Sequence, residues 1–147
     1  MRALEILSTL GLLVLVTGCR LEAPSPSGFA VYDGFGPLRA VSPDGVLYRV
    51  RSEDNEPLAD LEFWRQALRR HMLDAGYRLL AEGDVEADGV DGYLLELAAP
   101  LGEQDYAYLV ALFVVGDELI LAEAAGEVTR FQARREAIVE AVRTFEL

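Results

Sequence analysis

The chain has one cysteine, one histidine and no lysine among its 147 residues. A single cysteine excludes an internal disulfide, and one Cys with one His cannot build a Cys/His metal site. All 13 basic residues are arginine, which serves as well on a surface, so the missing lysine points to no function. Long apolar runs are scarce too: the stretch 6–16 falls short of the about 20 residues that cross a bilayer as a helix. There is no glycine-rich phosphate loop, no Gly-x-Ser-x-Gly nucleophile turn and no internal repeat. What is abundant is acid. The formal net charge is -12 and the pI is near 4.4, a field that repels phosphate backbones and speaks against nucleic-acid binding. With 52% apolar and 26% charged residues the chain is of globular composition.

The first nineteen residues read as a signal, not as part of the fold. Arg2 gives a thin basic start, partly cancelled by Glu5, residues 6–16 are apolar, and Val16-Thr17-Gly18 places small residues before Cys19. This stretch resembles a bacterial lipoprotein signal with Val16-Thr17-Gly18-Cys19 as its lipobox. The resemblance implies removal of the signal peptide 1–18, a diacylglycerol on the Cys19 thiol, and an acyl chain such as palmitate on the new amino group. One acyl chain is a marginal anchor and two hold stably, so the resemblance places the protein on a membrane of the cell envelope, facing outward from the cytoplasm. Arg20 is not the aspartate that retains such proteins in the inner membrane, which favours the outer one. Residues 19–28, with Pro24, Ser25, Pro26, Ser27 and Gly28, then read as a flexible tether with a reach on the order of 30 Å.

A single globular domain is expected over 29–147, with a short strand at 29–32 and turn formers at 33–37. Ser42-Pro43-Asp44-Gly45 is a hairpin turn between 38–41 and 46–50, since Pro43 presets the first dihedral and Gly45 allows a positive φ. Leu61, Trp64, Leu68, Met72 and Ala75 share one helical face, and Gly76 ends that helix. Alternation predicts a strand over 77–85, in which Tyr77, Leu79, Ala81 and Val85 share a face. An acidic loop at 86–91 leads to a strand over 92–98. After a polar loop around Gly102, residues 107–115 are apolar on both faces, as a strand covered on two sides would be. Gly116-Asp117 turns into a strand at 118–125. A last helix follows, with Thr129 and Gln132 as its capping box and Phe131, Ile138, Val142 and Phe145 as its core stripe. The product is an α+β domain, an antiparallel sheet with two main helices packed on it, one on each face.

This succession resembles the PsbP-like fold, an α/β/α sandwich shared by extrinsic photosystem subunits, a Ran-binding nuclear import factor and DcrB-type envelope lipoproteins. The residues that carry the resemblance are the Ser42–Gly45 turn before a strand, Ala75-Gly76-Tyr77 at a helix-to-strand junction, Gly92-Tyr93 opening a strand, and 106–125 followed by the capped helix. It implies a non-enzymatic envelope or binding module with an envelope protein as partner.

Few constellations could carry chemistry. His71 lies at the edge of the first helix's stripe without a serine or cysteine to activate, because Ser25 and Ser27 fall in the tether and Ser42 in a turn. Asp84, Glu86, Asp88 and Gly89 match the start of a calcium loop, but Leu95 stands where its bidentate glutamate belongs. A calcium-binding or small-ligand sensor is therefore the alternative reading. Arg134 interrupts the last helix's stripe; either its stem covers the core, or it pairs with a sheet carboxylate such as Glu96 or Glu123. Phe63, opposite the first helix's stripe, is either covered by 29–37 or part of a protein-binding patch. The only site residue expected is Cys19, for lipidation, with no catalytic, cofactor or metal residues and no enzyme activity.

Overall fold

The computed structural model describes residues 21–32, 38–101 and 104–147. The lipobox with Cys19 and Arg20, the turn formers 33–37 and Gly102 lie outside the described residues. The elements are β1 (Ala30–Val31), β2 (Leu38–Val41), β3 (Leu47–Asp54), α1 (Leu61–Asp74), β4 (Arg78–Ala87), β5 (Val90–Leu101), β6 (Gln104–Val115), β7 (Glu118–Glu127) and α2 (Val128–Arg143). The described strands form one antiparallel sheet in the order β1-β2-β3-β7-β6-β5-β4. The class is α+β, as the residue pattern implies.

Turn chemistry sets the connections. Gly45 sits at φ 89°, and the buried Ser42 hydroxyl accepts the Val46 N–H at 2.9 Å, closing the β2–β3 turn. The acidic loop contracts to Asp88 and Gly89, whose φ values of 51° and 72° are those of a two-residue hairpin turn, so β4 and β5 run through it. Helix α1 opens on Asp60, whose carboxylate accepts the Phe63 N–H at 2.9 Å. It closes with Gly76 at φ 91°, where the Gly76 and Tyr77 N–H groups bond the Leu73 and Met72 carbonyls. Asp60→Ala is expected to cost about 1 kcal/mol in urea denaturation through loss of that cap, and an unchanged midpoint would contradict the assignment. Helix α2 departs from expectation. Its cap is Glu127, which accepts the Thr129 and Arg130 N–H groups at 3.0 and 3.2 Å. Because β7 runs directly into the helix, Thr129 already lies inside the first turn, and the Thr129–Gln132 capping box does not form.

The sheet is covered on both faces. On one, Leu109, Ala111, Phe113, Ile120 and Ala122 pack with Phe131, Ile138, Val142 and Phe145 of the α2 side. On the other, Leu95, Leu97 and Met72 pack with Leu61 and Leu68 of α1, and Val110, Leu112, Leu119 and Leu121 with Trp64. Strand β6 is thus apolar on both sides for the expected reason. In β4 the alternation breaks: Leu79 joins the α1 side and Val85 the α2 side. The register shifts between Leu79 and Ala81, so Leu80 is an extra residue that bulges and inverts the faces beyond it. Asn55, 3% exposed, joins the corner between β3, α1 and the β6–β7 turn. Its amide donates to the Ala59 and Gly116 carbonyls at 3.0 and 3.1 Å and its oxygen accepts the Trp64 indole N–H at 2.6 Å.

Two expectations about coverage differ. Residues 21–28 do not hang free: Leu21 and Ala23 pack against the α2-side core, Pro26 is buried, and Glu22 and Glu146 exchange backbone hydrogen bonds at 2.9 and 3.0 Å. The apolar side chains among the small residues find a surface beside α2, and the segment docks there. Phe29 meets the Tyr48 ring edge-on at 6.3 Å, on the α2 side, so it does not cover Phe63. Phe63 stays 48% exposed, edge-on to Trp64 at 5.2 Å.

Candidate functional site

Helix α1 lies over β5 and β6, so the same face of β2 and β3 is free of a helix. Alternation along the strands brings Arg49 and Arg51 of β3, Glu123 of β7 and Tyr108 of β6 together there. Arg49 stands directly opposite Glu123 in the ladder, with its Nη2 2.6 Å from Oε2 and its Nε at 2.8 Å. Arg51 Nε donates to the same oxygen at 3.0 Å and the Tyr108 hydroxyl donates to Oε1 at 2.5 Å. Glu123 is only 8% exposed. Burial alone would raise its pKa, but the bonds from Arg51, Tyr108 and Arg49 together outweigh burial and hold the carboxyl below its ordinary value. Burial, and then the bond to Glu123, push the Tyr108 phenol up, so it remains a donor at neutral pH.

Beside this network opens a cleft of about 280 Å³, lined by Tyr32, Arg39, Leu47, Arg49, Tyr108 and Glu123 among others. Arg39 of β2 stands directly opposite Arg49. From the sequence, Glu123 is named only as a candidate partner of Arg134, and these residues are not brought together. The Arg49-x-Arg51 spacing signals two cations on one strand face, but the partner Glu123 follows only from knowing that β7 pairs with β3.

A second cleft, of about 330 Å³, runs under α1 between Trp64, Ala67, Leu68, His71, Leu112, Leu119 and Leu121. His71 is exposed at its rim, and no lining residue is a serine, cysteine or carboxylate. The exposed Phe63, edge-on to the Trp64 of this cleft, adds apolar surface beside it. Arg134 pairs with Asp44 of the β2–β3 turn at 3.2 Å, and not with Glu96 or Glu123. The hydrogen bond from Ser42 and those from Arg134 hold Asp44 below its ordinary pKa. Glu96, 7% exposed, is taken by Arg135, whose Nε lies 2.9 Å from Oε1. The acids of the β4–β5 hairpin disperse: Asp84 pairs with Arg65, and Asp88 accepts the Leu147 N–H at 3.1 Å. Among the described residues no group of three or more His, Cys, Asp or Glu side chains is placed to hold a metal ion, and no helix is long and apolar enough to cross a membrane.

No family model and no curated protein matches the sequence. Solved structures do match in shape. The cyanobacterial PsbP, CyanoP, of Synechocystis superposes with a TM-score of 0.59 at 15% identity, covering 95% of this chain and 99% of that one. LpqN of Mycobacterium tuberculosis, described as involved in cell envelope biogenesis, gives 0.62 at 10% identity over 86% of this chain and 83% of its own. PA94 of Pseudomonas aeruginosa, a protein of unknown function, gives 0.62 at 10% identity over 79% and 94%. At such identities the likeness is one of fold, and the domain has the PsbP-like fold that the sequence resembles.

Proposed function

We propose that this chain is a membrane-anchored envelope lipoprotein whose domain binds or positions another envelope protein and performs no catalysis. The observation that carries the reading is Val16-Thr17-Gly18-Cys19 at the end of the apolar stretch 6–16, a thiol where an acyl anchor is attached. Arg20 favours the outer membrane. The fold shared with LpqN, an envelope-biogenesis protein, supports an envelope role. The apolar cleft under α1, with the exposed Phe63 beside its Trp64, is a surface of the kind that takes a protein partner. With Leu21 and Ala23 packed on the body, an anchor on Cys19 would hold the domain close to the bilayer, without the reach of a free tether.

The test compares wild type with Cys19→Ser in cells by membrane fractionation, cross-linking and mass spectrometry of the N-terminus. Wild type is expected in the membrane fraction with an acylated Cys19 and one enriched envelope protein; the variant is expected to lose nearly all membrane association. A retained, unmodified 1–18 segment would overturn the lipoprotein reading. Acylation without any cross-linked envelope protein would overturn the partner.

A further inference from the structure

We propose that the cleft beside Glu123 is a binding site for a small organic anion, a carboxylate or phosphate head on an apolar body, with Arg39 and Arg49 taking the head. The first reason is an imbalance of charge. Arg39 and Arg49 stand directly opposite each other on β2 and β3, and like charges so placed repel. Glu123 cannot relieve both. Its Oε2 already accepts Arg49 and Arg51 and its Oε1 accepts Tyr108. Glu53 is drawn to Arg51, and among the described residues Arg39 makes no ion pair. Among the described residues a chain of net charge -12 thus sets Arg39, Arg49 and Arg51 against Glu53 and Glu123 in one corner.

The second reason is shape. A structural ion pair needs no opening, yet the arginines line a cleft of about 280 Å³, close to the lower end of the about 300–1,000 Å³ typical of ligand pockets. That volume suits a small molecule and is too little for a large cofactor. The walls supply apolar surface from Leu47, 51% exposed, and ring surface from Tyr32, 45% exposed. Arg49 spends Nε and Nη2 on Glu123, which leaves its Nη1 for a ligand, and no carboxylate among the described residues takes the fork of Arg39. A planar guanidinium fork matches carboxylate and phosphate oxygens in pairs. The buried Glu123 then acts as a positioning residue that holds Arg49 at the cleft wall.

Calorimetry on the full chain in a non-ionic detergent tests this with four probes: phenyl phosphate, phenylacetate, inorganic phosphate and benzyl alcohol. At least one aromatic anion is expected to bind, the stronger of the two identifying the head group, with inorganic phosphate weaker and benzyl alcohol silent. Arg39→Gln should weaken that binding about tenfold or more, the loss of a charge-assisted pair. Arg39→Lys should fall between, and Arg70→Gln, on the exposed side of α1, should change nothing. Circular dichroism confirms that the variants are folded, and if Arg39→Gln is not, Arg39→Lys carries the comparison. Silence from both aromatic anions at millimolar concentration would overturn the proposal, as would unchanged affinity in a folded Arg39 variant or equal binding of benzyl alcohol. None of these outcomes depends on the lipid anchor.

Discussion

Gly92→Ala is expected to destabilise the domain by about 1–3 kcal/mol, and Gly92→Val by more, although neither introduces a polar atom. Gly92 of β5 lies directly opposite Phe113 of β6. A Cβ there would stand 2.5 Å from Cε1 and 2.6 Å from Cδ1 of that ring, and 3.0 Å from the Leu112 carbonyl oxygen. The ring has nowhere cheap to go, being fully buried and packed against Phe145 with centroids 6.2 Å apart. An aromatic side chain laid over a cross-strand glycine fills the space the glycine leaves, and the pair is matched as a unit. Phe113→Leu alone should also destabilise, but the double variant Gly92→Ala/Phe113→Leu should be more stable than the two costs summed, because the smaller side chain makes room for the methyl. Urea denaturation of the four proteins in the cycle decides it; strictly additive costs would mean that the ring is not the obstacle.

Glu123→Gln should lower stability by about 1–3 kcal/mol at neutral pH, since it leaves Arg49 and Arg51 without their shared anion. The figure stays below that of a fully buried pair because the side chains of Arg49 and Arg51 are 44% and 27% exposed and can turn to water. The effect depends on pH with a definite sign. The folded Glu123 carboxyl titrates below its ordinary value of 4.5, so its contribution is complete above that value and is lost as the pH falls through the folded pKa. The gap between wild type and Glu123→Gln should therefore be constant from pH 7 to about pH 5 and narrow below pH 4.5. Asp44 and Glu127 are lowered as well, so wild type should also weaken in acid on their account. Thermal melts of both proteins from pH 7 to about pH 3 measure the gap, and a gap that does not narrow would contradict the ion-pair account.

What was legible in the chain was local. The Ser42–Gly45 turn, the helix that ends at Gly76 and the Gly116-Asp117 hairpin each carry their own turn or cap chemistry within a few residues, and each stands where that chemistry puts it. The two-sided burial of β6 could be read because its apolar residues occupy both phases of the period-two pattern. Leu80 was not legible: nothing in its neighbours marks the residue that bulges, yet it decides which face Val85 takes. The cap of α2 was misread because Thr129 and Gln132 satisfy the capping pattern, whereas the direct passage from β7 into the helix makes Glu127 the residue at the boundary. The arginine pairings were out of reach for a different reason. Arg134 meets Asp44, 90 residues away, and Arg49 meets Glu123, 74 residues away. Both contacts exist because β7 inserts beside β3, and strand insertion leaves no mark on either strand's own alternation.

The Glu22–Glu146 bridge decides how the molecule would yield to a pull. Tension entering ahead of Leu21 meets two backbone hydrogen bonds and the contacts of Leu21 and Ala23 first, then the two-residue edge strand β1, then β2. Each of these can detach in turn from the outside inward, while the four long strands from β4 to β7 lie beyond the last of them in the sequence of loading. The segment 21–28 is in this sense a mechanical fuse, first in the order of loading and able to lengthen the chain before the load reaches the hydrogen-bonded centre of the sheet.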